Sequence, residues 1–171
     1  NEREVILDAI TQWNEAVAPY LKPGQPMPFT FEGYAHVPGF DAKISLSDGK
    51  RVIYKISEAT SDIAALFVIT GFNDKKLWFL GYGLPDNDAL IMVDQFDNFI
   101  HGDGHKPDTK IELLRQTVCH ELGHVLGIQH YHDRYGIMND SILWYKTNEH
   151  GRYVHQSDVE AFCLVHTNSC Q

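Results

Sequence analysis

The stretch from residue 120 to residue 130 constrains the fold most, because it contains three histidines, a glutamate and a glycine at distinctive spacings. It reads His-Glu-Leu-Gly-His-Val-Leu-Gly-Ile-Gln-His. On an α-helix, which turns about 100° per residue, His120 and His124 lie one turn apart on one face, so both imidazoles can reach one metal ion. Glu121 flanks that face. The spacing therefore predicts a helix that carries two metal ligands and an adjacent carboxylate.

The third histidine requires this helix to end before it. On a continuing helix, His130 would lie about 600° round and about 9 Å along the axis from His124, too far to share its ion. Gly127 stands where a residue in the left-handed conformation can end the helix and turn the chain back. That conformation costs a residue with a side chain about 1 kcal/mol or more. We therefore predict that Gly127 ends the helix and allows His130 to be the third ligand.

Three histidine ligands and a nearby carboxylate favour one catalytic zinc ion with an open fourth position. Zinc lowers the pKa of its bound water to about 7 and polarises a substrate carbonyl. Glu121 can take the proton of that water and later pass it to the leaving amine. The set predicts hydrolysis of peptide bonds, with His120, His124 and His130 as the zinc ligands and Glu121 as the catalytic residue.

The pattern His-Glu-x-x-His-x-x-Gly-x-x-His at 120–130 is the signature of the metzincin clan of zinc metallopeptidases, which the chain therefore resembles. Members of that clan have a methionine in a tight turn beneath the zinc, and Met138 is similar to it. Asp140 stands where astacin-like and serralysin-like members have a tyrosine. The stretches 77–94 and 156–162 resemble the matrixins, the catalytic domains of matrix metalloproteinases. The chain thus looks like a matrixin.

The resemblance implies an α+β fold of the metzincin-like zincin kind. It has a twisted mixed sheet of the five-stranded type, a backing helix, an active-site helix and a C-terminal helix. We expect one catalytic domain over residues 1–171. Its upper subdomain would comprise residues 1–127, and its lower subdomain, with the methionine turn and the C-terminal helix, residues 128–171.

The hydrophobic pattern agrees with such a fold. Helical spacing predicts helices at Glu2–Ala18, Thr109–Gly127 and Ser157–His166. The second of these should bury Ile111, Leu114, Val118, Leu122 and Val125. Strand-like runs lie at Phe29–Val37, Ala42–Leu46, Arg51–Ile56, Ala64–Thr70, Leu77–Tyr82 and Leu90–Asp94.

The matrixin resemblance also indicates where a substrate would bind. An extended peptide can add to the exposed edge of a sheet as one more strand. The predicted edge comprises Gly81, Tyr82, Gly83 and Leu84. In matrixins the segment after the methionine forms the wall of the pocket just past the scissile bond. Here that segment predicts an apolar preference through Ile142, Leu143 and Tyr145.

Two other functions remain open from the sequence. One is a narrow peptidase whose loops admit a single partner protein, and the other is a binding module that keeps the metal fold without turnover. The intact Glu121 argues against the second. The loop with His101 and His105 could hold a calcium ion or a second zinc, but it lacks the matrixin ligand pattern, so we favour a solvated loop and leave a second ion as an unsupported alternative. We also expect His132, which follows the third ligand closely, to lie outside the metal site.

Charge and hydropathy exclude several classes of partner. The formal net charge is −9 and no basic run occurs, which argues against nucleic acid or an anionic membrane as a partner. No apolar run reaches the length of a membrane span. We expect a monomer that acts on proteins or peptides.

Three cysteines, Cys119, Cys163 and Cys170, leave an odd count. We predict one disulfide and one free thiol, with the pairing open. A disulfide favours a secreted, extracellular or periplasmic location.

Overall fold

The computed structural model of the chain describes residues 2–30, 35–37, 50–52, 55–56, 66–69, 80–83, 89–96, 110–132, 135–140 and 146–171. The predicted strand at 42–46 and the loop with His101 and His105 lie outside these residues, as do Leu84, Ile142, Leu143 and Tyr145. The described part contains three α-helices and seven strands, which confirms the α+β class.

The three helices lie close to their predicted positions. They are α1 (Glu2–Val17), α2 (Lys110–Val125) and α3 (Gln156–Val165), and a 3₁₀ turn, Ala18–Tyr20, follows α1. None of the helices in the described part has both the length and the apolar character needed to cross a bilayer.

The strands form two sheets. They are β1 (Phe29–Thr30), β2 (Ala35–Val37), β3 (Lys50–Val52), β4 (Lys55–Ile56), β5 (Leu66–Ile69), β6 (Gly81–Gly83) and β7 (Ala89–Met92). A sheet of five strands has the order β2-β3-β5-β7-β6, in which only β5 and β7 are parallel. Within the described part of the chain, β6 thus lies at one edge of this mixed sheet. The short strands β1 and β4 pair with each other.

Two predicted strands are each divided between these sheets. The predicted run 29–37 contains β1 and β2, and the run 51–56 contains β3 and β4. Thr30 pairs with Lys55 and Ala35 pairs with Val52. Between these two pairs the first segment advances from residue 30 to 35 and the second from 55 back to 52. Because the two segments differ in length there, they cannot form one continuous ladder in register. Hydrophobic alternation does not reveal such an offset.

The core lies between helices α1 and α2 and the sheet. Its largest fully buried side chains include Trp13 of α1, Leu122 of α2, Phe162 of α3 and Phe29 of β1. Four of the five residues predicted to face inward from α2 are buried. Ile111 is the exception, at 51% exposed, because it precedes Leu113 and Leu114, the first residues of this helix in the core cluster.

The disulfide joins Cys163 to Cys170, and Cys119 is a free, buried thiol. The prediction of one bridge and one thiol is confirmed. Residues near the bridge also bond to the end of α1: Ser169 O accepts from Lys22 N at 2.8 Å, and Gln171 N donates to Tyr20 O at 2.9 Å. The segment after α3 is therefore fixed beside the first helix.

Candidate metal centre

Helix α2 carries His120, Glu121 and His124. Helix α1 holds α2 in place at Cys119, the residue before His120. Trp13 Nε1 donates a hydrogen bond of 2.8 Å to the carbonyl oxygen of Cys119, and both side chains are fully buried. A buried hydrogen bond between two packed helices restricts how one can slide or turn on the other. The backing helix thereby sets the position of the residues that follow Cys119.

The first two histidines are oriented by backbone carbonyls. His120 Nδ1 lies 2.7 Å from Ile137 O, and His124 Nδ1 lies 2.8 Å from Ile128 O. A carbonyl only accepts, so each Nδ1 carries the proton and donates it. Each Nε2 then presents a lone pair. This is the arrangement that most metal-ligating histidines adopt.

Gly127 ends the helix as predicted. Its φ is +86°, in the left-handed region. Gly127 N donates to His124 O at 2.9 Å, and Ile128 N donates to Gly123 O at 3.0 Å. These two bonds form the pair that defines a Schellman motif. The motif turns the chain back so that His130 can approach the two helical histidines.

The three histidines converge through their Nε2 atoms. His130 Nε2 lies 2.9 Å from His120 Nε2 and 3.1 Å from His124 Nε2. Among the described residues, these three form the group of potential ligands that could hold a metal ion. His132, two residues further on, is exposed and not part of it.

The donor set fits a zinc ion. His120 and His124 donate their Nδ1 protons to carbonyls, so both rings turn an Nε2 lone pair toward the same space, where a cation would stabilise them. Nitrogen ligands about 2.0–2.1 Å from a tetrahedral zinc lie about 3.3 Å apart, close to the observed spacing. Burial lowers the pKa of His120 to about 3 and also lowers the pKa of His124. Both imidazoles are therefore neutral near pH 7, as metal ligation requires.

Glu121 is buried between α2 and the edge strand β6. A Cβ built on Gly81 would lie 2.8 Å from Glu121 Cγ and 2.9 Å from its Oε1. A Cβ built on Gly83 would lie 3.2 Å from its Oε2. Burial raises the pKa of Glu121 to about 8 in the protein without metal. The positive charge of a bound metal ion would favour the carboxylate form instead.

Met138 lies beneath the ligand helix, fully buried. A Cβ built on Gly123 would overlap its sulfur, so the absence of a side chain at residue 123 allows this close packing. Gly123 lies between Glu121 and His124. The structure thus places the predicted methionine against the segment of α2 that carries the histidines.

The edge strand presents alternating faces. Gly81 and Gly83 face α2, whereas Tyr82 is 50% exposed. Among the described strands, β6 pairs with β7 alone. The other predicted substrate-binding positions fall outside the described residues.

The sequence did not reveal two side chains that support the site. Asp158, on α3, accepts hydrogen bonds from the backbone of Ile137 and Met138, and Tyr131 donates its hydroxyl to the same carboxylate. The only sequence signal at Asp158 was an acid in the first turn of a predicted helix, which is common at helix N-termini. A tyrosine next to a ligand carries no signal of its own.

Comparison with known protein families gives a match to the family described as Matrixin, over residues 2–166. Comparisons with curated proteins and with solved structures found no significant match. The matched stretch includes all three helices, all seven strands and the three converging histidines.

Proposed function

The chain belongs to the matrixin family and is a zinc-dependent metalloendopeptidase, and from this premise we propose which residues perform the reaction. His120, His124 and His130 hold one catalytic zinc ion through Nε2. Glu121 is the general base and then the general acid in the hydrolysis of internal peptide bonds. Met138 supports the metal site from below.

When bound, zinc lowers the pKa of a coordinated water to about 7 and polarises the scissile carbonyl. Glu121 accepts the proton of the attacking water on a carboxylate oxygen, and the water oxygen adds to the carbonyl carbon. Glu121 then returns this proton to the amine nitrogen as the C–N bond breaks. Its burial beside Gly81 and Gly83 keeps the carboxylate in one position and limits its access to bulk water.

The substrate binds as an extended strand along β6. Its main chain pairs with the open side of Gly81–Gly83 and with Leu84, so affinity comes partly from backbone bonds that any sequence can make. Tyr82, half exposed on this strand, contacts the peptide from the face opposite α2. We further propose an apolar preference just past the scissile bond, on the sequence alone, from the apolar residues Ile142, Leu143 and Tyr145.

The metal site joins two subdomains of one catalytic domain. Residues 1–127 supply His120, Glu121 and His124, and residues 128–171 supply His130 and the methionine turn. The protein is a secreted or periplasmic monomer, in keeping with its Cys163–Cys170 disulfide, since such bridges persist in oxidising compartments.

One observation carries the proposal: three Nε2 atoms converge within hydrogen-bond distance while two of the rings have already donated their only proton to carbonyls. Even if His130 carries its proton on Nε2, the three rings have one proton for two Nε2 acceptors. A cation satisfies all of them at once.

The test compares the unmodified chain with Glu121→Gln, His124→Ala and His132→Ala. Zinc content is measured after dialysis, and new peptide ends are mapped by mass spectrometry after incubation with a mixed protein pool. We expect Glu121→Gln to keep zinc and lose cleavage, and His124→Ala to lose both. The matched control His132→Ala, an exposed histidine outside the cluster, should keep both.

Equal cleavage by Glu121→Gln and the unmodified chain would refute the role of Glu121. Full zinc binding by His124→Ala would refute the ligand set. If the unmodified chain binds one zinc and cuts nothing in the pool, the broad activity proposed here is wrong. A peptidase restricted to one partner protein, or a binding module, would then replace it.

A further inference from the structure

Tyr131 follows the third histidine, and its hydroxyl reaches the first turn of α3. Its hydroxyl donates a hydrogen bond to Oδ1 of Asp158 and lies 3.2 Å from Ser157 Oγ. Its backbone N donates to Met138 O at 3.2 Å. The residue adjacent to His130 is therefore fixed at two points, one on α3 and one on the methionine turn.

Asp158 is fully buried and connects this tyrosine to the first ligand as well. Its Oδ1 accepts from Met138 N and its Oδ2 from Ile137 N, both at 3.2 Å. Oδ2 also accepts from His155 N at 2.7 Å, where α3 begins. The carbonyl of Ile137, held in this way, accepts the Nδ1 proton of His120. One carboxylate thus anchors segments that position two of the three histidines.

His130 depends on this anchoring more than the other two histidines do. His120 and His124 are on a rigid helix, and a carbonyl orients each ring. His130 is exposed, follows the end of the helix, and its Nδ1 has no partner among the described residues. Its position depends on its backbone, which is held before it by the turn at Gly127 and after it by the hydrogen bonds of Tyr131.

The surroundings of the phenol are shaped to hold its hydroxyl. Gly136 is buried beside it, and a Cβ built there would overlap Tyr131 Oη and lie 3.2 Å from Asp158 Oδ1. A side chain at residue 136 would therefore displace either the phenol or the carboxylate. The glycine leaves the space in which the two meet.

We propose that Tyr131 is a positioning residue of the metal centre: by anchoring its hydroxyl on Asp158 it holds His130 where its Nε2 can join those of His120 and His124. This inference rests on the zinc site proposed above. Loss of the hydroxyl should let the His130 segment move, which weakens metal binding more than it weakens the rest of the fold.

The experiment compares Tyr131→Phe with Tyr20→Phe. Tyr20 also donates its hydroxyl to α3, at 2.8 Å to Gln156 Oε1, but it lies far from the histidines in sequence and its bond is exposed. Zinc affinity is measured by competition with a chromophoric chelator, and the metal geometry by the visible absorption of the Co²⁺-substituted protein. Urea unfolding of the metal-free proteins gives the stability of the fold alone.

We expect Tyr131→Phe to weaken zinc binding about tenfold, the lower end of the loss typical for residues that support metal ligands, and to alter the cobalt bands. Tyr20→Phe should change neither. Gly136→Ala should weaken zinc binding as well. Gly136→Ala should weaken zinc binding less when Tyr131→Phe is already present, because the missing hydroxyl makes room for the methyl group.

Unchanged zinc affinity and cobalt bands in Tyr131→Phe would overturn the inference, even if the metal-free variant unfolds more easily. That outcome would leave the proposed function intact, provided the unmodified chain binds zinc and cleaves. If the unmodified chain binds no zinc, the proposed metal site is wrong and this inference is wrong with it.

Discussion

Gly83 lies so close to Glu121 that a Cβ built on it would stand 2.6 Å from the Glu121 carbonyl oxygen. It would also lie 3.1 Å from Cβ of His124. The backbone of the edge strand therefore packs directly on the helix, at the residues proposed for catalysis and metal binding. Any side chain at residue 83 must push strand and helix apart.

We predict that Gly83→Ala damages the site more than Gly81→Ala. A methyl group at residue 83 meets helix backbone at 2.6 Å, which cannot yield locally. At residue 81 its two nearest neighbours are side-chain atoms of Glu121, and the nearest backbone atom, Leu90 O, is 3.0 Å away. Overpacking of this kind typically costs about 1–3 kcal/mol. Urea unfolding should show the larger loss for Gly83→Ala, and cleavage rates should fall in both. A fully stable and active Gly83→Ala would contradict the close approach.

A second prediction concerns the turn at Gly127. Alanine there should destabilise the fold by about 1–2 kcal/mol, because its φ of +86° is unfavourable for a residue with a side chain. It should also weaken zinc binding, since the same turn brings His130 to the site. Calorimetry and chelator competition provide the two measurements.

Gly24→Ala is the matched control for Gly127→Ala. Gly24 has the same φ of +86°, and apart from its chain neighbours no atom of the described residues lies within 4 Å of a Cβ built there. This variant should lose similar stability and keep its zinc affinity. Equal zinc affinity in both variants would show that the turn at Gly127 does not control the third ligand.

A third prediction concerns the free thiol. Burial raises the pKa of Cys119 far above its usual range, so almost no thiolate exists near neutral pH, and the sulfur is also inaccessible. An aromatic disulfide reagent should not react with the native protein but should label one thiol per chain after unfolding in urea. Cys119→Ala should give no label in either state. Rapid labelling of the native chain would contradict the buried position.

A fourth prediction concerns pH and the metal-free protein. Burial raises the pKa of Glu121 from 4.5 to about 8, so the fold favours its protonated form. Its contribution to stability is fully present below about pH 4.5 and is lost as pH rises through about 8. Glu121→Gln lacks this titration. Its free energy of unfolding should therefore rise relative to the unmodified chain across that window, by at most about 1.4 kcal/mol per pH unit.

Urea unfolding of both proteins, freed of metal with a chelator, measures this difference. Parallel pH profiles for the two would mean that Glu121 is ionised and solvated in the metal-free fold. Added zinc should reduce the difference, because a nearby cation favours the carboxylate.

The sequence predicted that His120, His124 and His130 converge, because their geometry is local. Two ligands depend on the helix period alone, and the third depends on a helix end that a glycine can mark. The helices and the α+β class followed from periodicity for the same reason. The count of one disulfide and one thiol followed from the odd number of cysteines.

Features that depend on contacts distant in sequence were missed. Nothing in the alternation of residues 29–37 indicates that this run contributes strands to two sheets. The exposure of Ile111 depends on where the core ends, which periodicity along α2 does not show. The contact of Tyr131 with Asp158 joins residues on either side of the methionine turn. Their meeting depends on how α3 packs, a tertiary property.

The burial of Cys119 also affects the fate of the Cys163–Cys170 bridge. Disulfide shuffling begins when a thiolate attacks a bridge, and the chain has three cysteines, so Cys119 is the one internal attacker. Its sulfur is buried in the core and stays protonated while the protein is folded. Scrambling of the bridge therefore requires the helix that carries the metal ligands to come away from the core. While that helix stays packed in the core, the chain's own thiol cannot rearrange the bridge.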